Sequence, residues 1–234
     1  MKTLLIRAYD VKGYQITGPS WIDTEQYEIA ATIPAGATKE QAAQMLQNLL
    51  AERFHLSAHR ETKDLPIFAL LTGKNSPKLK ESDPAAAAED EKAMAAGNFT
   101  RPKVTVGPDG FPQVPPDTKF PGTFTLSTVS GEFTRIKIIA RHETMEKLAN
   151  TIAGFLNRPV KNLTQLPGQY DFTLAFETDP HPDLREGRPP APSSDPGPTI
   201  FTAVQEQLGL KLEQRKGQVE MLIVDRVERV PTGN

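Results

Sequence analysis

Apolar residues recur at helical spacing at four places in the chain, and an alternating segment follows each of them. The clearest place is ATKEQAAQMLQNLLAERF, where Thr38 and Gln41 form the capping box that begins a helix. HLSAHRE then alternates between apolar and polar residues, which is the period of a strand, and a turn and the apolar run Ile67 to Leu71 follow. This segment predicts one helix followed by two strands. The apolar stripe of its helix comprises Ala42, Met45, Leu46, Leu49, Leu50 and Phe54.

Two later segments repeat this order. In the first, Thr144 is placed to cap a helix, a short strand begins at Val160, and a second strand is predicted after the turn Pro167-Gly168. In the second, a helix ends at Gly209, and strands are predicted over 210–212 and 219–227. The alternating residues of the strand after Pro167-Gly168 are Tyr170, Phe172, Leu174 and Phe176.

A fainter copy of the pattern opens the chain. It predicts a helix over 2–9, a strand over 15–17, and a second strand in which Tyr27, Ile29, Ala31 and Ile33 alternate. Four repeated helix–strand–strand units predict an α+β fold, with a mostly antiparallel sheet and helices packed on one face. Chance similarity among short amphipathic helices is the alternative explanation of the repetition.

Two proline-rich tracts divide these units. Residues 81–130 predict a long Pro-, Gly- and Ala-rich excursion, with at most a short helix near 85–96. Residues 180–198 predict a mobile Pro-rich loop. We therefore expect a first pair of units over 1–80, the excursion, and a second pair over 131–234 that opens with the strand FTRIKIIA.

Composition excludes several classes of function. The 234 residues include 27 basic and 29 acidic ones without a long block of either sign, so no nucleic-acid partner is predicted. No apolar run approaches the ~20 residues that span a bilayer. The apolar run in the first segment, MKTLLIRAYD, is too short for a signal peptide, so the chain as written is interpreted as cytoplasmic. The chain has no cysteine and no Walker, G-x-G-x-x-G or G-x-S-x-G motif, so no nucleotide or organic cofactor is predicted.

The stretch RFHLSAHRETKDLP holds the first candidate site, with His55, His59 and Glu61. On a helix, two histidines four residues apart would share a face and could bind one metal ion. From Phe54 onward, however, apolar residues alternate, and four residues of a strand span about 13 Å. His59 and Glu61 remain neighbours and form the predicted catalytic pair. The alternative is a solvated or cross-strand-paired face.

A second candidate is FETDPHPD, which directly follows a predicted strand. It offers Glu177, Asp179, His181 and Asp183 at alternate positions, and hard oxygen ligands on a loop suit calcium. The spacing is not that of an EF-hand. We predict Glu177, Asp179 and Asp183 as metal ligands, with a polar strand end broken by two prolines as the alternative.

Four longer stretches carry a resemblance to a known family. Through these stretches the chain resembles a large paralogous bacterial family of unknown function, expanded in soil acidobacteria. The stretches extend over most of the chain outside the two Pro-rich tracts, and together they are specific to this family. They are GPSWIDTEQYEIAA, LLAERFHLSAHRETKDLPIFALLTGKNSPKLK, LNRPVKNLTQLPGQYDFTLAFE and IFTAVQEQLGLKLEQRKGQVEMLIVDRVER.

Two features depart from the family pattern. Members usually carry a leading segment, often with an export signal and a first strand, before the stretch that matches Leu4 to Tyr9. The usual Asp-x-Thr-Gly-Leu is Asn162-Leu163-Thr164-Gln165-Leu166 here, which lacks the acid and the glycine. Localisation therefore stays open, and no role is transferred to that acid.

The resemblance implies two functions of different kinds. Sequences of this kind are associated with quorum quenching, which implies a calcium-dependent hydrolase that opens the lactone ring of N-acyl-homoserine lactones. Calcium would polarise the carbonyl, a carboxylate or histidine would activate water, and an apolar groove would hold the acyl chain. The units are also distantly similar to the short N-terminal domain of secretins and TonB-dependent receptors, and related domains are attached to membrane-bound sensor peptidases. That similarity implies a non-catalytic module that binds an envelope protein, a peptide or a small ligand.

Overall fold

The computed structural model describes residues 1–74, 76–96, 103–108, 110–115, 122–130, 133–178 and 197–232. The chain divides into two compact units. The first comprises Met1–Ile67, Gly154–Pro159 and Arg215–Asn234, and the second comprises Phe68–Ala153 and Val160–Gln214. Helices combine with mostly antiparallel sheets, so the predicted α+β class is confirmed.

The first unit contains two helices, α1 (Lys2–Tyr9) and α2 (Lys39–Phe54), and a short strand, β1 (Ile16–Thr17). It also contains the beginning of β2 (Ser57–Thr72) and the end of β10 (Leu210–Arg226). β1 runs parallel to β10, which is also a neighbour of β2. The buried core of this unit comprises Met1, Leu5, Ala8, Val11, Ile22, Leu50, Phe54, Leu56, Leu222 and Val224.

Helix α2 begins as the sequence predicts. The backbone N–H of Gln41 donates to the Thr38 hydroxyl at 3.3 Å, and the Thr38 N–H donates to the Gln41 side-chain oxygen at 2.9 Å. The helix ends at His55, whose φ of 47° is left-handed, and β2 begins two residues later. The predicted capping box is therefore confirmed.

The second unit contains a four-stranded antiparallel sheet in the order β3-β9-β7-β6. Its strands are β3 (Lys80–Glu81), β6 (Gly122–Ser130), β7 (Phe133–Thr144) and β9 (Gln169–Thr178). This unit also contains α3 (Pro84–Ala95), β4 (Thr105–Val106), β5 (Pro112–Gln113), β8 (Val160–Asn162), α5 (Ile200–Leu208) and, up to Ala153, α4 (Met145–Leu156).

Helix α5 is fixed to β9 by one side chain. The Gln207 amide accepts from the Ala175 N–H at 2.9 Å and donates to the Ala175 carbonyl at 2.7 Å. The helix ends at Gly209, whose left-handed φ of 66° is the conformation that favours glycine at a helix C-terminus. The predicted end of this helix is confirmed, as is the alternating burial of β9.

Several predicted elements differ from those observed. The turn expected before Ile67 is absent, because β2 continues through Pro66, whose fixed φ suits an extended chain and removes only one donor. The strands expected over 210–212 and 219–227 are likewise one strand, β10. Segment 27–33 is not a strand, although Tyr27 and Ile29 are half-buried as alternation requires.

Strand β6 was missed, because the sequence placed it in the long excursion. It pairs with β7 along its whole length, from Gly122 opposite Arg141 to Ser130 opposite Phe133. The regular helix–strand–strand repetition is therefore not confirmed, although the fold class is. The division into pairs of units at 1–80 and 131–234 stays a prediction, and most of the loop predicted over 180–198 lies outside the described residues.

Candidate functional site

A groove of about 910 Å³ lies on the first unit, bordered by α1, α2 and the extended segment 29–33. Most of its lining is aliphatic. α1 contributes Leu4 and Ile6, the segment contributes Ile29, Ala31 and Ile33, and α2 contributes Ala42, Ala43, Met45, Leu46 and Leu49.

The groove exists because the apolar stripe of α2 is longer than the core it packs on. Of the six stripe residues that the sequence predicts, only Leu50 and Phe54, in the last turns, are fully buried. Toward the start of the helix, Met45 is 43% exposed, and Ile33 on the facing segment is 58% exposed. A contiguous exposed apolar surface of this kind is typical of a binding site.

Four charged residues accompany the aliphatic lining. Arg7 and Lys39 are basic, and Asp10 and Glu40 are acidic, so the lining carries no net charge. Hydrogen bonds from its own backbone N–H and from the Thr38 hydroxyl hold the pKa of Glu40 below its usual value. Glu40 is therefore ionised at neutral pH, and the groove offers both hydrogen-bond donors and acceptors.

The predicted catalytic pair lies on β2, in the strand conformation that the alternation predicts. His59 Nδ1 is 2.9 Å from Asp225 Oδ2, and Glu61 Oε2 is 3.2 Å from Lys63 Nζ. Each residue thus has an ion-pair partner of its own, and His59 and Asp225 are both about half exposed. This arrangement matches the cross-strand-paired face that the sequence left open, and a catalytic role for His59 and Glu61 stays a prediction.

Of the predicted metal ligands, the structure describes only Glu177, since Asp179 and Asp183 lie outside the described residues. The Glu177 side chain is 5% exposed and accepts a hydrogen bond from Arg135 Nε at 2.7 Å. Its other oxygen accepts from the Gly197 N–H at 2.6 Å. Among the described residues, no group of three or more His, Asp or Glu side chains is arranged to hold a metal ion, and the calcium site stays a prediction.

A second polar cluster lies at an irregularity of β7. Arg141 and His142 together stand opposite Asp171, because the pairing register shifts between Ala140 and Glu143. This is a β-bulge, a feature that re-aims a side chain, and His142 has a left-handed φ of 54°. Asp171 Oδ1 accepts from the His142 N–H at 3.0 Å and from the Ser82 hydroxyl at 2.6 Å.

The ring of His142 lies between two carboxylates. Its Nε2 is 3.3 Å from Asp90 Oδ2 on α3, and its Nδ1 is 3.9 Å from Asp171 Oδ1, too far for a hydrogen bond. Burial raises the pKa of Asp171, but the hydrogen bonds from Ser82 and His142 and the nearby positive charges outweigh burial, so the pKa lies below its usual value. Asp171 is therefore a persistent anion in this cluster.

Sequence reasoning missed this cluster because its members are widely separated in the chain. The four histidines looked scattered, and no local motif links Ser82, Asp90, His142 and Asp171. Sheet pairing and the position of α3 bring them together. The one local signal is the polar pair Arg141-His142, which interrupts the alternation of β7.

Comparison with known proteins gives one match. Residues 2–227 match a family model described as a protein of unknown function (DUF3738), which bears out the expected kind of family. No curated protein and no solved structure matches the chain. Within the described ranges, no helix is long and apolar enough to cross a membrane.

Proposed function

We propose that this chain, which belongs to the DUF3738 family of proteins of unknown function, binds a neutral amphiphile with an acyl chain in the groove of its first unit. The observation that carries the proposal is the exposed part of the α2 stripe, since Met45 is exposed along the groove and Leu46, which packs on the core, is only half-buried. An N-acyl-homoserine lactone has the required chemistry, because it joins an acyl chain to an amide and an uncharged ring.

The size of the groove suits such a ligand. Its volume of about 910 Å³ falls within the ~300–1,000 Å³ of typical small-molecule sites. Ligands of this size gain about −0.3 kcal/mol per non-hydrogen atom. A molecule of about twenty such atoms would therefore bind with about −6 kcal/mol, a dissociation constant of tens of micromolar.

The charges of the lining favour a neutral head group over an ionised one. The ligand's amide N–H can donate to Asp10 or Glu40, and its carbonyl oxygens can accept from Arg7 or Lys39. A fatty-acid carboxylate would meet both signs of charge and would lose its hydration as well. We therefore expect acyl amides to bind more tightly than fatty acids of equal chain length.

Calorimetric titration with N-octanoyl- and N-dodecanoyl-homoserine lactone tests the proposal. Burying a methylene fully contributes ~0.8 kcal/mol, and burying it in an open groove contributes about half of that. The four additional methylenes of the dodecanoyl chain should therefore tighten binding about fifteenfold. Ala43→Trp should abolish binding because the indole would fill the groove. Ala51→Trp is the matched control, since Ala51 is exposed on the same helix and does not line the groove. Binding by Ala43→Trp as tight as that of the unmodified protein would refute the proposal.

Hydrolysis of the lactone is the second candidate function, because the same groove would hold the acyl chain of that substrate. The residues to test are the predicted catalytic pair, His59 and Glu61, and the predicted calcium ligands Glu177, Asp179 and Asp183. Ring opening should be followed by mass spectrometry with calcium, with EGTA, and in His59→Ala and Asp179→Ala. Turnover by the unmodified protein with calcium, and in none of the other three samples, supports hydrolysis. Binding without turnover above a heat-inactivated control rejects hydrolysis and leaves the binding function.

A further inference from the structure

Helix α3 buries little apolar surface among the side chains that the structure describes. Among its side chains that the structure describes, only Ala87 and Asp90 are half-buried, and the others are exposed. A helix of 12 residues is marginal in water on its own. Its start is capped by Asp83, whose carboxylate accepts from the Ala85 N–H at 2.9 Å. The contact of Asp90 with the sheet is therefore its principal attachment among the described residues.

That contact is the ion pair with His142 at the β-bulge. The Asp90 and His142 side chains are 14% and 9% exposed, and the Asp90 Oδ2–His142 Nε2 distance is 3.3 Å. The other ring nitrogen, Nδ1, is buried and has no hydrogen-bond partner among the described residues. A buried polar atom without a partner destabilises by about 1–3 kcal/mol. The docked helix thus combines one ion pair that favours docking with one buried nitrogen that opposes it.

We propose that α3 is a pH-dependent arm, which protonated His142 holds against the sheet through Asp90 and which loss of that proton releases. Histidine is the side chain whose charge ordinarily changes between pH 5 and 8. A hydrogen bond between charged partners is about twice as strong as a neutral one, so deprotonation should weaken docking about fivefold.

The groups around His142 determine the sign of this response. Asp90 on α3 and Asp171 on β9 are negative and lie beside the ring. Arg141 on the same strand is positive. Glu143, also on that strand, is negative and lies 3.5 Å from Lys147 of α4. The ion pair with Asp90 exists only while the ring is protonated, and docking is therefore favoured on the acid side.

Amide hydrogen exchange of the full chain, read by mass spectrometry over residues 84–95, tests the proposal. Protection is compared at pH 5.5 and pH 8 after correction for the intrinsic exchange rate. Protection of α3 should fall about fivefold at the higher pH in the unmodified protein. In His142→Gln it should be equal at the two pH values, because glutamine binds no proton. Glu91→Gln is the control, since it removes one exposed acid from the same helix and should leave the pH dependence intact.

Two results would overturn the proposal: constant protection of α3 in the unmodified protein, or pH-dependent protection that survives in His142→Gln. If His142→Gln also lowers the protection of β7 and β9, the sheet itself has changed. The variant Asp90→Asn is then used to test the proposal instead. That variant alters only the helix side of the ion pair. Its protection should not vary with pH, and a fivefold variation would reject the proposal.

Discussion

Replacing Glu177 by alanine should destabilise the second unit strongly, because its carboxylate is the acidic half of a buried ion pair. The Glu177 side chain is 5% exposed and that of Arg135 is 13% exposed, with 2.7 Å between the bonded atoms. The substitution also removes the acceptor of the Gly197 N–H. The substitution takes the carboxylate away from both donors, and removing one half of a buried ion pair is the costly way to disrupt it.

The expected loss can be estimated from these contacts. Removing one partner of a buried pair costs about 3–5 kcal/mol. The guanidinium of Arg135 also lies over the Phe111 ring, 5.4 Å from its centroid, and this cation–π contact retains about 0.5–2 kcal/mol. We therefore expect a loss near the lower limit, about 3 kcal/mol. The double variant Arg135→Met, Glu177→Leu should lose less than the sum of the single changes, because it leaves no buried charge.

Urea unfolding followed by far-ultraviolet circular dichroism measures these free energies. Glu206→Ala is the control, since this exposed glutamate of α5 should change stability by no more than about 0.5 kcal/mol. A loss below about 1 kcal/mol in Glu177→Ala would refute the structural role argued from its burial. Calcium separates this role from the predicted metal site. If Glu177 binds calcium, millimolar calcium should stabilise the unmodified protein and not Glu177→Ala.

Three further changes probe other parts of the fold. The pKa of Asp171 lies below its usual value, so its ionised form contributes stability above about pH 4 that is lost as pH falls further. Asp171→Asn should therefore flatten the acid-unfolding profile below about pH 4. An unchanged profile would contradict this. Gly209→Ala should lower stability by about 1–2 kcal/mol in thermal unfolding, because φ is +66° and the added Cβ would lie 3.0 Å from the Ser76 carbonyl oxygen. Thr38→Ala should lower the free energy of unfolding, measured in urea, by about 1 kcal/mol because the capping hydroxyl is lost. Thr38→Ser keeps a hydroxyl and should retain most of that stability.

Features that depend on neighbouring residues could be predicted from the sequence. Thr38 and Gln41 are three positions apart, and the hydrogen bonds between them form as expected. The end of α5 at Gly209 depends on the left-handed φ of that one residue, so it could be predicted locally. The alternation of β9 is equally local, since one face of the strand packs on the core.

Features that depend on distant partners could not be predicted. Proline and charged residues around Pro66 suggested a turn, but pairing with other strands keeps β2 extended. Strand β6 alternates threonine and serine with Phe124 and Leu126, but proline- and glycine-rich sequence surrounds it, and its pairing with β7 is what separates it from the excursion. Segment 27–33 has the right alternation and lies along the groove instead of joining a sheet.

For the candidate sites, too, local features could be predicted from the sequence, whereas contacts between distant residues could not. The strand period correctly placed His59 on a polar face, whereas its partner Asp225 lies far along the chain. The pair formed by His142 and Asp90 requires both a bulge and a helix within the predicted excursion. Each part has a local signal, the polar pair Arg141-His142 and the helix expected near 85–96, but neither signal shows that the two parts come together.

The position of the groove separates the proposed binding surface from the residues that keep the first unit folded. The last turns of α2 anchor the helix through Leu50 and Phe54, and its first turn is fixed by the capping box. Residues between them, such as Ala43 and Met45, contribute little to the core. Substitutions at such surface positions typically change stability by no more than about 0.5 kcal/mol. Substitutions that change the shape of the groove should therefore leave the stability of the fold nearly unchanged.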